Sequence, residues 1–429
     1  TLLCGLVPAL RAARGELHER LATTGKGVGV GLKHDMLRNA LVAAQVSLSI
    51  VLLVGAGLMM RTFFALEHVN LGINPKNMLA ARLVFPQGQY RTSQAKQSFF
   101  RQILPRVRAI PGVMSVTESL GLPVESGGAS PVTVPGTTHA ENWESDVELV
   151  DQDYLRTVGL ALIRGQFFSE ADVDSGRKII VVNRTLVQDF FGGSDPIGHT
   201  IKFNAFDTLP DAPRNTYFEI VGVVSDARDS GFERSVAPEA FVPYTVVPSE
   251  DNELLIRTST TPDSILNEVE RQVSSVDSNI GLADTGSLES ILHRDFVASP
   301  EFGLVLLSVF AGIGLILSAI GVFSVMAYTV SLQTHDIGIR MALGAQPNGV
   351  MRMVLLNGLR PIVAGIIVGL GASYALTRSM ASQIYGVTAT DPWTFGGVVI
   401  VLTAVGLAAC LLPARRATLV DPLIALRYE

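Results

Sequence analysis

One charge-free apolar stretch at residues 40–60 is followed by a long polar excursion, and three further apolar stretches crowd the last third of the chain. A helix needs roughly 20 apolar residues to cross about 30 Å of hydrocarbon. ALVAAQVSLSIVLLVGAGLMM (40–60), FGLVLLSVFAGIGLILSAIGVFSVMAYTV (302–330) and FGGVVIVLTAVGLAACLL (395–412) meet that need without a charged residue. The remaining stretch, 359–376, opens on Leu359-Arg360-Pro361 and has a shorter apolar core. This layout predicts four transmembrane helices, with an extramembrane domain over 61–301 hung between the first two crossings.

Composition agrees with a membrane protein: 17% of residues are charged and 48% hydrophobic, with mean hydropathy +0.37, against a charged share of about 25% in soluble domains. Residues 40–60 exceed the usual signal-peptide apolar run of about 7–15 residues, and Arg61-Thr62-Phe63-Phe64 follows in place of a small-residue cleavage site. A net charge of -6 is mild and implies no nucleic-acid partner. The cysteines, Cys4 and Cys410, both lie at membrane ends, so the domain between owes nothing to disulfides or cysteine-held metal.

Lysine and arginine near the span ends set the orientation. Lys26, Lys33 and Arg38 precede the first span, Arg340 and Arg352 lie between the second and third, and Arg415 and Arg416 follow the fourth. The loop 377–394 holds only Arg378. The N-terminal segment, the 331–358 loop and the 413–429 tail are therefore expected in the cytoplasm, and the 61–301 domain in the periplasm. Arg61 is the exception. Residues 6–21 (LVPALRAARGELHERL) also echo residues 411–426 (LLPARRATLVDPLIAL), with Pro8 matching Pro413 and Arg11 matching Arg416. We expect residues 1–9 to be the end of a preceding copy's last transmembrane helix and 10–39 a cytoplasmic linker.

The external domain reads as α+β, made of two β-α-β units with an inserted lobe at about 147–235. The first unit is a strand at 78–85, a helix at 93–110 and a strand at 113–119. Phe100, Ile103, Val107 and Ile110 share one face of that helix, Pro105 kinks it, and Pro111-Gly112 ends it. The second unit has a strand at 253–258, a helix capped by Thr261-Pro262 and a strand at 280–284. The lobe carries strands 179–183 and 218–225, a helix 184–191 and a turn at Gly192-Gly193. Residues 61–72 and 287–298 are expected to be helical stalks joined to the first and second spans.

Catalytic signatures are missing from the sequence. No Gly-x-x-x-x-Gly-Lys-(Ser/Thr) loop occurs, so ATP hydrolysis would have to come from another chain. Gly27, Gly29 and Gly31 lack the strand that a dinucleotide loop follows and read as a linker. There is no HExxH, and His139, His199 and His293 are scattered. Ser126-Gly127-Gly128 reads as a mobile loop. Gly365 and Gly369 form a GxxxG that suits close helix packing.

The segment THDIGIRMALGA (334–345) resembles the signature that follows the second helix of FtsX/MacB-type ABC permeases, with Asp336 where that family usually has Glu and Met341 where it has a basic residue. VVNRTLVQDFFGGSDPIGHTI (181–201) is similar to that family's periplasmic core, and LPARRATLVDPLIALRYE (412–429) to its tail. The start of the chain resembles duplicated permeases that carry no fused ATPase, of which this would be the second half. The resemblance implies a non-catalytic multi-pass subunit of the inner membrane with no cofactor of its own. It would work as a homodimer or paired half with a cytoplasmic ABC ATPase that supplies the ATP, and some members add a periplasmic adaptor and an outer-membrane channel. It also implies mechanotransmission, in which cytoplasmic force moves the periplasmic domain to drive efflux or envelope export. The ATPase would engage Asp336, Ile337, Gly338, Ile339, Arg340, Met341, Leu343 and Gly344. A short amphipathic helix could offer Ile337, Ile339, Met341 and Leu343 to a groove, with Asp336 and Arg340 at its rim. The alternatives are an FtsX-like interaction protein that switches cell-wall hydrolases and a membrane-anchored periplasmic enzyme.

Overall fold

The computed structural model describes residues 29–86, 88–90, 92–124, 128–136, 143–209, 211–228, 235–247, 249, 252–379 and 390–418. The 6–21 and 411–426 echo, the 10–39 linker, His139 and most of 413–429 and 377–394 lie wholly or partly outside them. The chain divides into two compact units, one of residues 1–62 and 302–429, the other of 63–301.

In chain order, helix α1 spans Gly29–Glu67. The external unit follows with β1 (Met78–Val84), α2 (Ser93–Arg108), β2 (Val113–Ser119), β3 (Ala129–Thr133), β4 (Glu144–Val150), α3 (Tyr154–Val158) and β5 (Leu162–Gly165). It continues with α4 (Glu170–Ser175), β6 (Ile179–Asn183), α5 (Arg184–Phe191), β7 (Thr200–Phe203), β8 (Phe218–Val224), β9 (Glu239–Pro243), β10 (Glu253–Thr258), α6 (Leu266–Val276), β11 (Gly281–Ser287) and α7 (Leu288–Leu292). Helices α8 (Ala298–Leu332), α9 (Thr334–Ala342), α10 (Pro347–Ser379) and α11 (Pro392–Thr418) complete the chain.

The two β-α-β units of the external unit interleave. Strand β10 pairs antiparallel with both β1 and β2, and β1 pairs with β11, giving the order β11-β1-β10-β2. Each unit's strands are therefore parallel to one another, with a strand of the other unit between them, as a split β-α-β arrangement requires. Helices α2 and α6 lie side by side on this sheet. Phe99, Phe100, Ile103 and Val107 of α2 and Val269 and Val273 of α6 are buried, as are the strand residues Leu79, Ala80, Leu255 and Ile256, so the periodicity legible at 93–110 does face the core. Thr92 Oγ1 caps α2 by accepting from Ala95 N at 3.3 Å, and the helix runs on through Pro105.

The inserted lobe begins earlier than 147. Strands β3 and β4 belong to it, and the path β4-β3-β7-β8-β6-β9 is closed by a parallel β4–β9 pairing. Closure satisfies the strand edges that an open sheet would leave bare. The short β3 (ASPVT), with Pro131 inside it, carries too little alternation to read as a strand. In α5, Asn183 Oδ1 accepts from Leu186 N at 2.8 Å, and Gly192 ends the helix at φ 58°, a conformation that costs glycine little.

Lobe and four-stranded sheet join through one register pair, Ser119↔Val150, and a buried polar cluster lies beside it. Asn252 Nδ2 donates to Glu118 at 2.5 Å, Lys96 Nζ donates to Asn252 Oδ1 at 2.7 Å, and Thr117 Oγ1 donates to Asp151 at 2.5 Å. Burial pushes the Asp151 carboxyl up to about 7, and burial with the neighbouring Asp151 charge holds Glu118 well above the carboxylate range.

Among the described residues, four helices are long and apolar enough to cross a bilayer: Met36–Glu67, Leu288–Leu332, Pro347–Ser379 and Pro392–Thr418. All outrun the charge-free stretches. The third departs furthest from expectation, because residues 347–358, expected as loop, are its first turns. Pro347 suits a first helical position, and Val350 and Val354, four apart, are buried on its inner face. On α1 the inner face is Val42, Val46, Ile50, Val54 and Leu58. A polar pair crosses this interior: the Ser49 and Ser318 hydroxyls lie 2.8 Å apart.

Arg61, anomalous on the external side, is neutralised by an ion pair with Asp391. Asp391 also accepts from Thr394 N at 2.8 Å and Thr394 Oγ1 at 2.7 Å, capping α11 ahead of Pro392. The cap is worth more than the half-exposed ion pair. Asp391→Ala is expected to cost about 1–2 kcal/mol, and Arg61→Gln less than about 1 kcal/mol, by thermal melts in detergent.

Candidate functional site

The segment between the second and third spans folds as the three-turn helix α9. Asp336 lies in its first turn and Arg340 in its last, each at the end where its charge suits the helix dipole. Leu343 N donates to Ile339 O at 3.0 Å, Ala345 N to Arg340 O at 3.0 Å and Gly344 N to Met341 O at 3.1 Å, which turns the chain into α10. Gly344 sits at φ 92° with nothing within 4 Å of a would-be Cβ, so backbone conformation and not crowding selects glycine here.

The residues of this segment divide between two faces. Ile337 is 1% exposed and joins the membrane unit's own core, Gly338 is buried beside it, and Met341 packs partly against the same core. Ile337 and Met341 are thus not free to enter a partner's groove. A helix on the membrane surface must bury one stripe against its own helices, and three-turn length leaves no second apolar stripe. The outward face keeps Asp336, Ile339, Arg340 and Leu343, with Ile339 at 36% and Leu343 at 83% exposure. Arg340 Nη1 lies 3.0 Å from Met353 Sδ on α10, which anchors α9 to the next helix.

Gly365 and Gly369 lie on the inner face of α10 against α1. A Cβ on Gly365 would stand 2.6 Å from the Ala43 carbonyl oxygen and 2.8 Å from Val46 Cβ. One on Gly369 would stand 2.9 Å from Ile50 Cβ and 3.0 Å from Ser47 Cα. The neighbouring atoms are backbone atoms of Ala43 and Ser47 and the branched side chains of Val46 and Ile50 near their roots, so the two helices touch closely at this point.

A further constellation is not legible in the sequence. Arg38 Nη2 donates to Thr329 Oγ1 at 3.0 Å, and its guanidinium lies 4.7 Å from the Tyr328 ring centroid, a cation–π distance. Arg38 and Thr329, with Asn357 and Arg360, line a cavity of about 200 Å³. They come from three helices, and only their common position just inside a span end hinted at a shared level. Among the described residues, no group of three or more His, Cys, Asp or Glu is arranged to hold a metal ion.

Comparison with known proteins gives two domain matches. The model of the MacB-like periplasmic core domain matches residues 44–276, and that of the FtsX-like permease C-terminal region matches 308–422. The macrolide export ATP-binding/permease protein MacB of Wolinella succinogenes is 29% identical over 282 residues, covering 62% of this chain and 41% of that protein. Its counterpart from Vibrio parahaemolyticus is 28% identical over 336 residues, covering 75% and 47%. An ABC transporter permease of Bacillus subtilis, YknZ, is 22% identical over 346 residues, covering 78% and 80%. The chain thus spans less than half the length of these MacB relatives. Among solved structures, the periplasmic region of MacB from Actinobacillus actinomycetemcomitans aligns at 15% identity and TM-score 0.35, covering 52% of this chain and 94% of that one.

Proposed function

The chain belongs to the family of permeases that join a MacB-like periplasmic core domain to an FtsX-like C-terminal region, and from that premise we propose that it is the non-catalytic membrane subunit of an ABC system in which a separate ATPase drives motion of the periplasmic unit. It is a multi-pass inner-membrane protein, with four spanning helices among the described residues and a mixed α/β external unit.

The observation that carries the proposal is the outward face of α9. Leu343 and Ile339 are exposed apolar side chains flanked by Asp336 and Arg340, on the side of the membrane where ATP is found. An apolar knob within a charged rim is what a helix presents to a groove. The inward face, through Ile337 and Met341, packs on the spanning helices, so a push on α9 is delivered to them directly. The chain itself carries no phosphate-binding loop, and two relatives are described as both ATP-binding and permease over lengths more than twice the matched part. We assign ATP hydrolysis to a partner, efflux or envelope export to the complex, and force transmission to this chain.

Co-purification with its cognate ABC ATPase tests the assignment. Leu343→Asp and Ile339→Asp are expected to reduce ATPase recovery at least about tenfold, as for central interface residues, while leaving the melting temperature unchanged. Unchanged recovery with both variants would refute the coupling role of α9.

A further inference from the structure

The helix that leads into the second span contains a wide turn near its start. Leu288–Leu332 is helical throughout, and β11 ends at Ser287, so helix follows strand with no loop between them. Its first turn, α7, is clamped in the external unit. Leu288, Ile291 and Leu292 are buried there, and Ser287 Oγ accepts from Ser290 N at 3.3 Å. Residues His293–Val297 then form a π-type turn, closed by Ala298 N donating to His293 O, five residues back. None of the five is buried. Such turns are rare inside α-helices and cluster at functional sites. Pro300 comes just after it. A proline inside a helix donates no backbone bond, and its ring crowds the carbonyl four residues back. The wide turn and the proline thus weaken the same short stretch. The ion pairs here do little to stiffen it: His293 Nε2 lies 3.3 Å from Glu301 Oε2, and Arg294 Nε donates to Asp295 Oδ1 at 2.8 Å, but both pairs are open to solvent. By contrast, α1 is a regular α-helix from Gly29 to Glu67 and holds no proline.

We propose that residues 293–300 are a hinge at which the second spanning helix bends relative to its own first turn. Sharp bends in helices fall at π-type turns and prolines, and this stretch carries both. It also has the marks of low local stability, with exposed backbone bonds and no buried side chain between the clamp at 288–292 and the span itself. A π-type turn closes over one residue more than an α-turn, so it can tighten or widen while the helix on either side stays intact. Hinge closure elsewhere uses such short element-terminal stretches to absorb a change of direction. The role rests on the proposed passage of force through this chain: α8 receives the motion, and the hinge lets α8 change direction while α7 stays packed in the external unit.

The test uses the full chain in lipid nanodiscs, with Cys4→Ala and Cys410→Ala, and measures distances between paired spin labels by pulsed electron resonance. One pair, Glu289→Cys with Val305→Cys, brackets the turn; the other, Ser308→Cys with Ser324→Cys, lies within α8, and all four side chains are exposed. Each pair spans sixteen residues, about 24 Å of regular helix. The bracketing pair is expected to give a distribution about twice as broad as the pair within α8, as bending localised at the turn requires. Pro300→Ala, which returns a backbone donor, and deletion of Val297, which lets the turn close as an α-turn, should each narrow it to the width of the inner pair. If the deletion fails to fold, Pro300→Ala decides alone. Equal widths in the unaltered turn, or no narrowing by Pro300→Ala, would overturn the proposal. With the cognate ATPase and ATP, the bracketing distance is expected to shift and the inner one to hold. Hydrogen exchange that responds to ATP elsewhere in 63–301 while the bracketing distance stays fixed would also overturn the hinge. No response to ATP anywhere would refute the transmission of force instead, and the widths alone then decide whether the turn bends.

Discussion

Valine at Gly365 or Gly369 is expected to separate α10 from α1 and to lower the stability of the membrane unit by about 1–3 kcal/mol per site, the usual cost of overpacking. At Gly365 the new Cβ would stand 2.6 Å from the Ala43 carbonyl oxygen, and at Gly369 3.0 Å from both Ser47 Cα and Ser47 O. Backbone cannot rotate aside as a side chain can, so the helices must move apart. That movement strips contacts from Val42, Val46 and Ile50, which are buried in the same interior. The sites are one turn apart on one helix, so the double variant should fall short of the sum. Gly371→Ala and Gly396→Ala serve as controls: nothing lies within 4 Å of either would-be Cβ, and each should change stability by less than about 0.5 kcal/mol. Thermal melts of the full chain in detergent make the comparison.

Lys96→Met is expected to cost about 1–3 kcal/mol, the penalty for leaving the buried Asn252 Oδ1 without its donor. Lys96 and Glu118 are both buried, and the Lys96 charge favours ionised Glu118 through the intervening Asn252. The cluster also gives the external unit a pH dependence of definite sign. The Asp151 carboxyl titrates at about 7 in the folded chain, against about 3.9 unfolded, so between those values the folded state holds the extra proton. Stability from this group is complete below the unfolded value and is lost as pH rises through about 7. The melting temperature should therefore decline more steeply between about pH 5 and pH 8.5 in the wild type than in Asp151→Asn, which cannot ionise. Parallel declines in the two proteins would contradict this account of the cluster.

Much of this architecture was legible because its signals are local. Charge-free length located the spanning helices, and apolar spacing placed Phe100, Ile103 and Val107 on the buried face of α2. The turn at Gly192-Gly193 marked the end of α5. Pairing across distance was not legible. The closure of the lobe depends on β4 meeting β9, nearly a hundred residues later, and Glu118 finds Asn252 only through the sheet. The segment at 334–345 showed its place between two spans but not its facing. Ile337 and Ile339 look equivalent in sequence, yet the first is in the core and the second outside. A period of two crosses a helix in opposite directions, so facing could be settled only once α9 lay against the spanning helices. Arg352 and Asn357 dilute the apolar pattern of residues 347–358, so the sequence reads as loop there, while Val350 and Val354 alone suffice to bury one stripe.

The central claim is that force enters at α9 and is expressed in residues 63–301. Hydrogen exchange on the chain reconstituted in lipid nanodiscs with its ATPase, with and without ATP, measures that most directly. ATP is expected to change exchange within 63–301 in the wild-type complex, and Leu343→Asp is expected to abolish the change while the ATPase alone still hydrolyses ATP. An unchanged exchange pattern across 63–301 while the bound ATPase turns over would contradict the account.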